Sequence, residues 1–148
     1  MNTIVCEISH LLWNERVLDL LQGCSGADSK DVDGLTRALF AVVALAPETV
    51  RDYLDINLDR SRFDKLVELG ALECAILQIY GANLGFMMSR SPEGLAVASL
   101  SCLGVEGQET ACGGSLPIAM ISCMGLVFTK HFAIPGASPL KVQRISSN

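Results

Sequence analysis

Basic patches, Cys-x-x-Cys pairs and long unbroken apolar runs are all missing from this chain, and each absence removes a class of function. There are 11 Lys and Arg against 16 Asp and Glu, a net charge of -5, and no run of bases is interleaved with aromatics, which make up 5% of the residues. Such a chain repels phosphate backbones, so nucleic acid is not among its expected partners. None of the six cysteines forms Cys-x-x-Cys, and the intervals among Cys102, Cys112 and Cys123 match no zinc ribbon or redox motif. His10 and His131 lie apart and outside any His-Glu-x-x-His pattern, so neither a metal nor a cofactor is expected. Surface or helix-end duty is the reading of both, and His131 beside Lys130 suits the C-terminal end of a helix.

Charge is also scarce in one half. Residues 1–73 hold 13 of the 16 acids and 7 of the 11 bases, whereas from Cys74 to Thr129 only Arg90, Glu93, Glu106 and Glu109 are charged. That block must be core, oligomer interface or membrane-facing. Thr110 to Thr129 is a twenty-residue stretch without charge, followed by Lys130. Three glycines, a proline and four hydroxyl residues dilute it, and the apolar remainder, Leu116 to Phe128, is thirteen residues long, which suits a buried helix rather than a span.

What is present is a large apolar share: 50% hydrophobic residues and a mean hydropathy of +0.40 over 148 residues. This is enough for one domain, expected over residues 1–134, with a loose polar tail over 135–148 after Pro135-Gly136-Ala137-Ser138-Pro139. Glu7, His10, Glu15 and Arg16 interrupt the first apolar segment, where an export signal runs uncharged, so a cytoplasmic setting is expected. In a reducing compartment the cysteines read as small core residues.

The periodicities predict an α+β fold: N-terminal helices, a β-hairpin with an optional third short strand, and a C-terminal apolar helix packed together. Ile4, Val5, Ile8, Leu11, Leu12, Leu18 and Leu21 recur at helical steps and mark an inward face ending at Gly23. A second helix runs from about Val32, capped by Asp31, to Pro47. Pro47-Glu48-Thr49 opens a third with Val50, Tyr53, Leu54 and Leu58 inward, and Ser61 with Asp64 resembles a capping box for a fourth that stops at Gly70. Leu72 to Tyr80 reads as helix or strand, with helix favoured. Ser91-Pro92-Glu93-Gly94 is a hairpin turn between Phe86-Arg90 and Leu95-Leu100, a third strand is placed near Gln108 to Ala111, and Pro117 starts the last helix.

Where chemistry is concerned the signals are thin. Cys112 precedes Gly113-Gly114-Ser115 and the last helix, a place where a helix dipole lowers a thiol pKa and free amides hold an anion. A nucleophile also needs a base, and none is evident, so the plain reading is a turn into the helix. Cys112, Gly113, Gly114 and Ser115 stand as a ligand or thiol site of low rank.

Three stretches carry a family likeness: Leu66-Val67-Glu68-Leu69-Gly70-Ala71-Leu72-Glu73-Cys74-Ala75, then Pro92-Glu93-Gly94 with Ala98-Ser99-Leu100-Ser101, then Leu116-Pro117-Ile118-Ala119-Met120-Ile121-Ser122. Over residues 63–128 the chain resembles a group of small alphaproteobacterial proteins of unknown function, which have a Gly-Ala-Leu helix junction, an acidic-Gly hairpin and a Leu-Pro-Leu-Ala-Ile-Leu-Ser helix. It departs from them after the turn glycine, where Leu95 and Ala96 replace the group's Trp and His. The resemblance implies a bacterial cytosolic origin and a shared organisation, with no activity attached.

Two functions follow as expectations. The first is a protein-interaction or assembly module, adaptor-like or chaperone-like, self-associating or holding another protein through Phe86, Met88, Val97, Leu100, Ile121, Met124 and Phe128. The second is a small-molecule binder or enzyme with a pocket between hairpin and helices. The balance leans away from an enzyme.

Overall fold

Ser115 and Pro117 start the element around which everything else packs. The Ser115 hydroxyl accepts from the Ile118 amide at 3.5 Å, and proline in the first turn loses no helical hydrogen bond. The helix that follows, Leu116–His131, is apolar on nearly every side until Lys130 and His131. A helix of that kind is stable in water only when enclosed. In the computed structural model, which describes residues 3–133 and side chains from residue 9 onward, it is enclosed by both helices and sheet. The tail expected over 135–148 lies outside the described residues.

Five helices come first: α1 (Thr3–Cys24), α2 (Val32–Ala44), α3 (Glu48–Leu54), α4 (Arg60–Glu68) and α5 (Leu72–Ile79). Three strands follow, β1 (Leu84–Arg90), β2 (Ala96–Cys102) and β3 (Glu109–Gly113), before the final helix, α6 (Leu116–His131). The strands form one antiparallel meander in the order β1-β2-β3. The chain is thus α+β, and α6 lies across β2 and β3 on one side while α1, α2 and α5 cover its others. Among the described residues, no helix packs extensively along β1. Among the described residues, no helix is long and apolar enough to cross a membrane.

The local rules explain most ends. Gly94, at φ 88°, closes the hairpin with its amide on Ser91 O (2.9 Å), and Ser91 N returns to Leu95 O (2.8 Å). That is a type I turn followed by a left-handed glycine. Gly70, at φ 76°, ends α4 with Ala71 N on Leu66 O and Gly70 N on Val67 O, the paired bonds of a Schellman stop. Leu72 to Ile79 is helix rather than strand, with Ala75, Ile76 and Ile79 buried on one face. The third strand exists, one to two residues later than its expected place.

Four expectations need correction. The cap of α4 is Asp59, whose carboxylate accepts from Arg62 N at 3.1 Å. Ser61 falls inside the first turn, and Asp64 instead meets Arg37 and Arg60 at 3.5 and 3.7 Å. Asp31 precedes α2 without capping it, because its carboxylate is taken by the Asp28 amide at 3.1 Å. The third helix ends at Leu54, where Asp55 turns left-handed (φ 56°), so Leu58 lies in the connection, partly buried.

The fourth is the orientation of α1. Its buried face is His10, Trp13, Val17, Leu20 and Cys24, while Leu11, Leu12 and Leu18 are 58%, 57% and 55% exposed. At 100° per residue Leu11 and Leu18 lie on one line about 130° round from the buried row and Leu12 about 120° round on its other flank, so none of the three meets α6 beside Trp13. The row with Trp13 wins because it brings the larger volume and satisfies its polar atom. The indole N–H donates to Val42 O at 3.0 Å, and the ring meets Phe128 edge-on at 5.1 Å.

Candidate functional site

The apolar helix and the inward strand positions of the charge-poor block belong to this chain's own core. Leu100, Ile121, Met124 and Phe128, expected at an interface, are essentially inaccessible. The expectation failed because it weighed the block against a single hairpin, whereas α1, α2 and α5 also wrap α6. Of the expected interface, Phe86 (50% exposed) and the half-buried Met88 and Val97 remain near the surface. Phe86 and Met88 share one strand, and Val97 sits opposite Ser89 on the next.

Three places gather side chains with chemical potential. The first is an open cleft of about 380 Å³ where the end of α1 and the loop after it face β3 and α6. Cys112, Gly113 and Gly114 line it together with Cys24, Ala27 and Ser122. The cleft thus lies against β3 and not against the β1-β2 hairpin. Ser115 is turned away from ligand duty by its bond to Ile118 N, which also occupies one of the amides that would hold an anion. Gly113 is required for packing: a Cβ there would lie 2.9 Å from Ala119 N and from the Ile118 side chain. Cys112 is exposed, whereas burial pushes the Cys24 thiol up, an effect the Ser122 side chain only partly offsets. Among the described residues no charged side chain lines the cleft, so these offer neither a base for a thiol nor a cation for an anion. Its volume sits near the low end of small-molecule sites.

The second place is the ion cluster between β3 and the end of α6. The Glu109 side chain is 13% exposed, with Lys130 Nζ 3.2 Å from Oε1 and His131 Nε2 4.0 Å from Oε2. Oε2 has no hydrogen bond within the described residues. Nearby, burial first and the Glu109 charge second push Cys102 up to about 11. Cys123 is likewise pushed up to about 11, chiefly by burial, and its thiol donates to Glu109 O at 3.2 Å. Both thiols therefore stay protonated at neutral pH, and the cluster ties strand to helix instead of supplying a nucleophile. His131 ends α6, as expected of it, and also meets a carboxylate.

The third is His10, which is buried rather than at the surface. Its Nε2 lies 2.6 Å from Phe132 O, and since a carbonyl only accepts, Nε2 carries the proton. The ring stands edge-on to Trp13 at 5.5 Å. One turn on, Asn14 Nδ2 donates to Ala133 O at 2.7 Å. The pair clasps the chain as it leaves α6.

What residue-by-residue reading missed is the outward row of α1 and the bare edge of β1, where Met87 is 71% exposed. A signal for the first was present: α1 has apolar residues in two rows, one more than a surface helix needs. Among the described residues no three His, Cys, Asp or Glu side chains gather in a way that holds a metal ion. No protein-family model, no curated protein and no solved structure matches this chain.

Proposed function

We propose that this chain is a protein-interaction or assembly module of the bacterial cytoplasm, adaptor-like or chaperone-like in mode, that works by associating with copies of itself rather than by catalysis. The observation that carries the reading is the two-sided α1. One row is spent on the core, while Leu11 and Leu18 on one line, and Leu12 on the other flank, face solvent, each more than half exposed. A half-exposed leucine gains about 1 kcal/mol on burial, so Leu11 and Leu18 together contribute roughly 2 kcal/mol per copy. Against an association cost of about 4–15 kcal/mol, this supports a weak, concentration-dependent contact. The net charge of -5 argues against nucleic acid as a partner, and the bacterial setting rests on the resemblance of residues 63–128 and is proposed with it.

Sedimentation velocity over a micromolar to millimolar series is the test. Native chain is expected to gain mass with concentration, and the Leu11→Glu, Leu18→Glu double variant to remain closer to a monomer while keeping its fold, because both side chains face water in the monomer. A native chain that stays strictly monomeric at millimolar concentration overturns the reading.

One observation favours a second reading, a small-molecule binder: the cleft that unites Cys112, Gly113 and Gly114 with Cys24 and Ser122. Its uncharged walls suit a neutral, partly apolar ligand.

A further inference from the structure

We propose that two copies of this chain join through the edge of β1 that no other described strand pairs with, antiparallel, so that their sheets fuse into one of six strands. The inference rests on the assembly reading and names one of its contacts.

The hydrogen-bond parity of the hairpin identifies the free groups. Leu103 N donates to Asn83 O at 2.9 Å and Ser91 N to Leu95 O at 2.8 Å, and between these ends Gly85, Met87 and Ser89 face Ser101, Ser99 and Val97. In an antiparallel ladder alternate residues turn their main-chain groups to opposite sides. The odd-numbered residues of β1 therefore bond to β2, and the amides and carbonyls of Phe86, Met88 and Arg90 point to the open edge. Leu84, the first of that even series, already has its amide on Gly81 O at 3.1 Å.

This edge carries few of the usual defences, its one charge being Arg90 at the end of the strand. It has no proline, lysine or acid, and its register runs without a bulge from Leu84↔Cys102 to Arg90↔Ala96. Natural sheets block edges with such devices because an open row of amides recruits another strand. The opposite edge differs: β3 has Glu109 in its ion cluster and α6 laid against it. On β1, Phe86 and Met87 are half or more exposed instead.

The strand also complements itself. Pairing even residues with even residues about a two-fold axis at Met88 sets Met88 against its own copy and Phe86 against Arg90 of the partner subunit. A guanidinium beside an aromatic ring is attractive, and Arg90 forms no ion pair among the described residues. Four residues separate the two Arg90 positions along the joint, about 14 Å at strand rise. That exceeds the screening length of roughly 8–10 Å, so their repulsion is small. One seven-residue strand and three large side chains per copy fall at the small end of specific interfaces, below about 1,200 Å² in total, which makes the joint reversible.

Hydrogen exchange read residue by residue by NMR on the full chain, with sedimentation on the same samples, tests the joint. As concentration rises, the amides of Phe86, Met88 and Arg90 are expected to exchange roughly tenfold more slowly, while those of Met87 and Ser89 do not change. Met88→Pro removes a donor the monomer does not use and should abolish the concentration dependence. Phe86→Lys serves the same end should proline bend the strand. If exchange at the even positions is fast at every concentration, or if both variants associate as the native chain does, the joint is overturned. Association that survives both edge variants but vanishes in Leu11→Glu, Leu18→Glu overturns the joint and leaves the assembly reading standing; a strictly monomeric native chain overturns both.

Discussion

Replacing Gly81 with alanine places a methyl group where the backbone of another segment already lies. Its Cβ would stand 1.7 Å from Leu54 O, 2.7 Å from Leu54 C and 2.8 Å from Asp55 C. These are main-chain atoms at the end of α3, fixed by the left-handed turn of Asp55, so no side-chain rotation relieves the overlap. Ordinary contact requires the segments to part by roughly 1.5 Å or more. Such overpacking costs about 1–3 kcal/mol. The separation also strains the Asn83 side-chain bond to Tyr53 O (2.7 Å) and the longer Asn83 N to Leu54 O (3.4 Å), each worth about 1 kcal/mol. Alanine returns about 0.4–1 kcal/mol by stiffening the unfolded chain. The net loss is about 3 kcal/mol, or about 6–12 °C in Tm for a chain of this size. Urea unfolding followed by Trp13 fluorescence should show a lower midpoint at constant slope. Gly114→Ala is the control, since nothing lies within 4 Å of its added Cβ, and a change within about 0.5 kcal/mol is expected there. Equal, small losses at Gly81 and Gly114 would refute the close approach of α3 to the start of β1.

Trp13→Phe should cost about 2 kcal/mol, read as a Tm shift, because Val42 O near the C-terminal end of α2 is an orphan carbonyl that the indole N–H satisfies. Iodoacetamide at mildly alkaline pH should modify the exposed Cys112 and Cys74 while Cys24, Cys102 and Cys123 react only on unfolding, as mass spectrometry of the alkylated chain would show. A ligand in the cleft would slow Cys112 and leave Cys74 unchanged; equal rates with and without candidate ligands count against the binder reading. With Cys102 and Cys123 raised from 9.0 to about 11, the unfolded chain releases those protons first. Their contribution to stability is whole below about pH 9 and is lost as pH climbs toward about 11, which urea midpoints across that range would reveal.

The hairpin, the last helix and the glycine stop of α4 were readable because each depends on chemistry within a few residues: Ser91 to Gly94, Ser115 with Pro117, and Gly70. The orientation of α1 was not, since two apolar rows compete and the winner is decided by Val42 and Phe128, far along the chain. The same distance hid the role of His10, whose partner is the carbonyl of Phe132. The cap of α4 was misplaced by two residues because Ser61 and Asp59 both fit a capping pattern, and only the geometry of Arg62 N separates them. Cys112 and its two glycines were singled out before their surroundings were known. The cleft assembles them with Cys24 and Ser122 from two other helices, a juxtaposition no spacing rule encodes. The charge-poor block invited an interface because its enclosure by α1, α2 and α5 is a tertiary fact.

The clasp of His10 on Phe132 joins residues 122 positions apart. On a ribosome adding roughly 5–20 residues per second, the first helix therefore waits about 6–24 s before Phe132, its partner after α6, has been made. During that interval α2 already offers Val42 to Trp13, but the side of α1 that meets α6 stays uncovered. Native packing of α1 against α6 thus has to be a late event of biogenesis, and that face of α1 stays exposed until α6 has been made.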